Sequence, residues 1–308
     1  MQRGYSLKYK KLIEYSKWLW IVIVIAAVGY YLVTKWESLG ETIQQLSLVR
    51  LVLSVFLIIL AKLMLAVISK LSIEKEGHDL PYLEVFRIVS FTHLAKYIPG
   101  GIWHFVGRFN AYNERDMKIK SSTRALIHEN LWLLSGAFFT GALFGVLSSQ
   151  GRNILGEMGL GIPISALLIG IVLIWVLLLI GYEKLMPAAR SIRFYYLLAA
   201  SLLAWILLGL SFGFILPGFS SGTSMYYIAI YAFGWITGYV AIFAPGGIGI
   251  RETVLVWLLG SSIDPELAIV YSSVHRFVFI LAEILLGGVS LGIGLFMKNS
   301  TKDTKEIL

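Results

Sequence analysis

The sequence predicts an all-α polytopic membrane protein, with about six transmembrane helices plus two re-entrant broken hairpins in an inverted repeat. Three observations predict it. Hydrophobic residues make up 57% of the 308 and charged residues 14%, with a mean hydropathy of +0.78; a soluble domain carries about 25% charged residues. Two apolar stretches are interrupted by the same motif, Pro99-Gly100-Gly101-Ile102 and Pro245-Gly246-Gly247-Ile248. Landmarks along the chain also recur at an offset of 145–147 residues.

Taken in order, runs long enough to span lie near 18–34, 48–69, 125–148, 163–182, 194–216 and 267–297. The first follows a basic tail, but Thr34-Lys35-Trp36-Glu37 lacks the small-residue pattern of a cleaved signal, so it is read as a helix. Two further apolar stretches, 81–107 and 225–260, hold the Pro-Gly-Gly breaks. Proline removes a backbone donor and stops a helix, and paired glycines permit a sharp reversal. Inside a bilayer such a break is tolerated where it is buried in protein or lines a cavity. Asn110 to Ser122 reads as a polar cytoplasmic loop. The nine Trp and 16 Tyr suit two membrane interfaces.

Charge placement orients the chain. With both stretches treated as hairpins, segments 1–17, 69–80, 108–124, 183–193 and 298–308 share one side and hold 18 of the 26 Lys and Arg. The opposite segments, 35–50, 149–162, 217–224 and 261–266, hold three. The positive-inside rule then puts both termini in the cytoplasm of a plasma-membrane protein. A full crossing by 81–107 would carry the basic 108–124 stretch outside. The net charge of +8 therefore serves the membrane surface, not nucleic acid. The single membrane domain divides into a first repeat, 1–150, and a second, 151–308. Pro99 to Pro245 is 146 residues, residue 48 to 194 is 146, and His128 to His275 is 147. An odd number of crossings in each half inverts the second copy, as in many secondary transporters.

The candidate site follows from the breaks. A short helix should start after each, near 102–107 and 248–259, and its unpaired amides and dipole suit a phosphate or carboxylate. Arg108 and Arg251 add formal charge nearby, and the arginine fork matches phosphate. The alternative is that each break merely shapes the fold. Ionisable residues at membrane depth should face the interior or a wet cavity. They are Lys62, Arg87, His93, Lys96, His104, His128, Glu129, Arg251, Glu252, His275, Arg276 and Glu283. Lys62 and Arg87 lie close enough to the inner surface to snorkel. Glu129 is near one end of its helix, and Arg251 and Glu252 could neutralise each other. The pairs His128-Glu129 and His275-Arg276 should turn toward a central cavity, with Arg276 and Glu283 two turns apart on one face. No His/Asp/Glu spacing resembles a metal site, and no nucleotide loop or nucleophile–base set is present, so neither metal, cofactor nor enzyme is expected. Gly287, Gly288 and Gly292 suit close helix packing.

The two motifs resemble those of the lysylphosphatidylglycerol synthase transmembrane-region family, also called flippase-like proteins. The carriers are Tyr97-Ile98-Pro99-Gly100-Gly101-Ile102-Trp103 with Arg108, and Ala244-Pro245-Gly246-Gly247-Ile248-Gly249-Ile250-Arg251-Glu252. Glu129, and Arg276 following Tyr271, also stand where the family tends to have Glu and Arg. The resemblance runs from about Trp18 to Phe296 and implies lipid handling. Some relatives move aminoacylated phosphatidylglycerol between leaflets, and a separate soluble domain attaches the amino acid; that domain is not among these residues.

The expectation is therefore a translocator of an anionic, aminoacylated or polyprenyl-phosphate lipid. Pro99, Gly100, Gly101, Arg108, Pro245, Gly246, Gly247, Arg251 and Arg276 would bind it, and Glu129, Glu252 and Glu283 would gate or couple protons. The alternatives are a non-transporting membrane subunit partnering a glycosyltransferase or lipid-modifying enzyme, an intramembrane enzyme, and a carrier of a small anion. A lateral opening between helices favours the lipid; a closed vestibule favours the solute. The two breaks should meet near the bilayer midplane.

Overall fold

A computed structural model describes residues 46–97, 102–157, 159, 162–185, 194–241, 244–260 and 262–306. The expected first span, 18–34, and the first break, Pro99 to Gly101, lie outside the described residues.

The described residues form ten α-helices: α1 Leu48–Lys75, α2 Tyr82–His93, α3 Trp103–Asn113, α4 Ile119–Leu147, α5 Ser149–Glu157, α6 Ile164–Leu185, α7 Phe194–Ile215, α8 Ser221–Val240, α9 Ile250–Leu259 and α10 Pro265–Glu306. A single-turn 3-10 segment, Leu94–Tyr97, precedes the first break, and another, Pro245–Gly247, forms the second. Among the described residues five helices are long and apolar enough to cross a membrane: α1, α4, α7, α6 over Ile164–Tyr182 and α10 over Pro265–Leu295. By contrast α2, α3 and α9 have 12, 11 and 10 residues. At 1.5 Å per residue each spans about 15–18 Å, half of a ~30 Å hydrocarbon core.

Local chemistry explains the boundaries. Glu76 and Gly77, the latter at φ +85°, end α1, and Pro81 caps the start of α2. A capping box starts α8, the Ser220 N–H donating to Thr223 Oγ1 at 3.0 Å. Two expected loops are largely helical. α3 continues to Asn113 and α4 begins at Ile119, because Tyr112 and Met117 are buried against Ile73, Val85, Ile88 and Ala125. α5 likewise occupies part of the expected outer segment 149–162.

Packing centres on α1 and α7, which contact each other more extensively than any other described pair. These are the helices related by the 146-residue offset. Their seam joins α8 and α10 around Ile58, Ala61, Trp205, Phe212, Tyr231 and Phe279. The approach of α7 to α8 needs Gly209, where a Cβ would stand 2.4 Å from the Ile228 Cα. α6 stands outside this seam with Ile169, Leu173 and Leu177 at least 55% exposed, an apolar face fit for lipid. Of the three small residues expected to pack closely on α10, only Gly287 does so, beneath Leu94; Gly288 and Gly292 have nothing within 4 Å of their missing Cβ.

Candidate functional site

A cavity of about 300 Å³ lies between the two halves of the chain. Its wall brings together Lys62 of α1, Lys96, Arg108 of α3, Glu129 of α4, Arg251 of α9 and Arg276 of α10. Residues more than two hundred positions apart thus share one polar interior, each charge held by a short helix or by the inner face of a long one.

Four charge clusters organise it. Arg108 and Glu129, 1% and 3% exposed, form a buried ion pair, and the Arg108 Nε reaches toward Thr92 Oγ1 at 3.5 Å. The second carboxylate oxygen of Glu129 has no partner among the described residues. Glu283 accepts from Lys62 Nζ at 2.5 Å, Lys96 Nζ at 2.6 Å and the Tyr97 hydroxyl at 2.6 Å. Arg276 donates to the Gly246 carbonyl at 2.6 Å and lies 3.8 Å from Glu252. Arg251 stands apart from these pairs. It is 3% exposed, its guanidinium is 4.4 Å from the centre of the Tyr231 ring, and one terminal nitrogen is 3.4 Å from His275 Nδ1. Among the described residues no carboxylate pairs with it, and its Nε has no hydrogen-bond partner.

The second break seats these groups by its backbone. Gly246, Gly247 and Gly249 have φ of +59°, +72° and +86°, a conformation costly for any residue with a Cβ. The tight turn delivers the Gly246 carbonyl to Arg276 and starts α9 so that Arg251 faces inward. The head of α9 does not stand open: the Gly249 N–H donates to Glu252 Oε2 at 2.8 Å, so the carboxylate of this chain occupies part of the anion position expected there.

Several expectations change in this setting. Lys62 does not snorkel; it is 7% exposed and bound to Glu283, because a buried carboxylate draws the ammonium inward. Arg87 lies apart from the cavity, half-buried against Gly294. Glu129 is interior, not interfacial. Arg251 and Glu252 do not neutralise each other, since adjacent helical positions face apart. Glu283 pairs with lysines and Tyr97, not with Arg276. Glu129 and Arg276 line the cavity as expected, with His93 and His104. His128 turns away to Ser72 at 2.8 Å and Trp132, while His275 sits behind Arg251, its Nε2 3.0 Å from the Ser211 hydroxyl. Pro99, Gly100 and Gly101 lie outside the described residues, but Tyr97, just before them, packs its ring against Gly246.

The cavity wall also has an aromatic part that the charge pattern of the sequence does not mark. Trp205, Trp235 and Tyr239 line the cavity, with the rings of Trp235 and Tyr239 stacked at 4.7 Å. Tyr231, Trp235 and Tyr239 recur every four residues, one face of a helix, and that spacing was the available signal.

The two ion pairs joining a short helix to the long helix after it are charge-swapped: Arg108 with Glu129 in the first half, Glu252 with Arg276 in the second. Removing one member of a buried pair strands the other. Glu129→Ala should cost about 3–5 kcal/mol, and Arg108→Met with Glu129→Leu markedly less. Thermal unfolding in detergent measures both; equal losses would count against the pair.

Comparison with known proteins adds one match. The family model described as the lysylphosphatidylglycerol synthase TM region matches residues 18–287, which include every candidate residue above. No curated protein matches the chain.

Proposed function

We propose, from the premise that this chain belongs to the lysylphosphatidylglycerol synthase TM-region family, that it translocates a membrane lipid with an anionic headgroup. The matched region is the transmembrane part alone, without a catalytic synthase domain.

The observation that carries this reading is Arg251, a buried guanidinium on the cavity wall with an unpartnered Nε and no carboxylate beside it among the described residues. A buried cation left in this way is expensive unless an anion visits it. Phosphate fits the arginine fork. Lys62, Lys96, Arg108 and Arg276 surround the same space and outnumber the three nearby carboxylates, Glu129, Glu252 and Glu283. At about 300 Å³ the cavity matches a headgroup better than a whole lipid. The free oxygen of Glu129 suits a cationic group on the same headgroup, as an aminoacylated lipid would carry.

In this reading the first break, with Pro99, Gly100 and Gly101, and the second, with Pro245, Gly246 and Gly247, are the tips of two re-entrant hairpins. Helices too short to cross, α2 and α3, flank the first break, the 10-residue α9 follows the second after the 20-residue α8, Tyr97 lies against Gly246, and α1 packs on its repeat counterpart α7. These features support an inverted repeat, 1–150 and 151–308, about an axis between those helices. The charge-swapped pairs then act as alternating gates: separating Arg108 from Glu129 opens one side, and separating Arg276 from Glu252 the other. Glu283 restrains the first hairpin by gripping Lys96 and Tyr97. Both termini face the cytoplasm of the plasma membrane.

The test is fluorescent phosphatidylglycerol in vesicles, scored by the fraction that a membrane-impermeant quencher cannot reach. Arg251→Ala should lower the rate about 10- to 100-fold, the equivalent of one lost charge-assisted hydrogen-bond set. Arg251→Lys should restore only part of it, since lysine lacks the fork. A rate in Arg251→Ala equal to that of the native chain would remove Arg251 from the mechanism, and a native chain no faster than protein-free vesicles would favour the non-transporting subunit.

A further inference from the structure

A second concavity adjoins the first. It is a groove of about 440 Å³ bounded by α3, α4 and α8, and it is lined by Val106, Phe109, Thr123, Leu126 and Ile127. Three residues, Phe105, Asn130 and Tyr239, line both this groove and the charged cavity. The two spaces therefore meet at one neck. The Tyr239 hydroxyl donates to Asn130 Oδ1 at 2.5 Å across it, while Asn130 Nδ2 donates to the Leu126 carbonyl at 2.7 Å and is held in place. Val106 and Ile127, 38% and 43% exposed, lie at the open side of the groove, and Ile127 is on a helix long and apolar enough to span.

Chemistry distinguishes what such a pair of spaces would hold. Five cations, Lys62, Lys96, Arg108, Arg251 and Arg276, stand in the cavity wall among aromatic and aliphatic side chains, whereas the groove is lined by no charged residue, and a polar neck joins the two. A soluble anion would use the first and gain nothing from the second. An amphiphile uses both, with its charged end among Arg251, Lys96 and Arg276 and its apolar part in the groove. Inside a membrane such a groove also lets a chain remain in contact with lipid while the headgroup is enclosed, so the headgroup need not drag its tail through a polar interior.

We propose that the α3–α4–α8 groove seats the hydrocarbon chain of the lipid whose headgroup occupies the cavity, with the Tyr239–Asn130 hydrogen bond as the lateral door between them. This inference rests on the translocation reading above, and it makes Val106, Phe109 and Ile127 determinants of chain binding, separate from the charged residues that select the headgroup.

The experiment uses two probes, acyl-labelled phosphatidylglycerol in vesicles and glycerol 3-phosphate, which carries the phosphate without chains. Ile127→Trp fills the groove. It should lower lipid translocation about tenfold and leave glycerol 3-phosphate binding within about twofold of the native chain. The chain has no cysteine, which permits a second measurement independent of whether that variant folds. A single Ile127→Cys should be protected from a membrane-permeant maleimide by dioctanoyl phosphatidylglycerol and not by glycerol 3-phosphate. Leu177→Cys, on the outward face of α6, should be protected by neither. Native protein that moves lipid, together with Ile127→Trp of unchanged rate or Ile127→Cys that the short-chain lipid leaves unprotected, overturns the groove and spares the translocation reading. Native protein that moves no lipid yet binds glycerol 3-phosphate overturns both and points to a soluble anion.

Discussion

Gly247→Ala should unfold this protein more readily than any other single methyl addition at the second break. Gly247 has φ +72°, and a Cβ built there would lie 2.8 Å from both the Cα and the carbonyl oxygen of Gly238. Neither neighbour is a flexible side chain; both belong to the backbone of α8, which would have to move. The left-handed conformation costs roughly 1–3 kcal/mol for a residue with a side chain, and overpacking adds a comparable amount. The loss should therefore total about 3–5 kcal/mol. It also propagates: if the turn shifts, Gly246 no longer presents its carbonyl to Arg276, and Arg251 loses its inward seat. Gly288→Ala is the matched control, the same chemical change inside α10 with nothing within 4 Å. There the added methyl should stabilise by up to about 1 kcal/mol through helix propensity. Thermal unfolding of the three proteins in detergent decides it, and a Gly247→Ala midpoint at the native value would mean that the turn is not constrained as described.

The second large effect belongs to Glu283. Its carboxylate, 2% exposed, accepts from Lys62, Lys96 and Tyr97, and so ties α10 to α1 and to the turn before the first break. Glu283→Ala strands two ammonium groups away from water. Breaking an ordinary buried pair costs about 3–5 kcal/mol, and two stranded cations place this variant at the upper end, about 5 kcal/mol. Glu283→Gln should cost less, because the amide oxygen still accepts a hydrogen bond though the charge is gone. A double-mutant cycle with Lys62→Met isolates the interaction. If the pair is real, the double variant should be more stable than the sum of the single losses predicts, by at least about 1 kcal/mol. Strict additivity would show that Lys62 and Glu283 do not act on each other.

Both predictions concern residues that the sequence marks, Gly247 for the role it has and Glu283 for only part of its own. Gly247 belongs to a backbone break in the sequence and in the folded chain alike. Glu283 is an ionisable residue at membrane depth, and burial follows from that alone because exposure to lipid is expensive. Its partners did not follow. Lys62 and Lys96 lie 221 and 187 residues away along the chain, and no local spacing relates them. Lys62 looked like a snorkelling residue because its distance from a helix end was legible, whereas the carboxylate that draws it inward was not. Arg108 stands in a basic and polar stretch of sequence, and its burial depends on Glu129 and Thr92 arriving from other helices.

Membership of the membrane, the long apolar helices of α1, α4, α6, α7 and α10, the second break and the set of charges needing an interior could all be read from residue order. Each is local or compositional: a run of apolar residues must be hydrogen-bonded within its own helix in lipid, proline and glycine interrupt such a run wherever they fall, and a charge within it must avoid the hydrocarbon. Which charge meets which was settled by folding. The packing of α1 on α7 and the tight turn at Gly246 and Gly247 bring Lys62, Lys96, Arg251 and Arg276 around one cavity, pair all but Arg251 with carboxylates among the described residues, and set an apolar groove beside the same space. Ion pairing acts through a few ångströms of distance, and that distance exists only after the helices have packed.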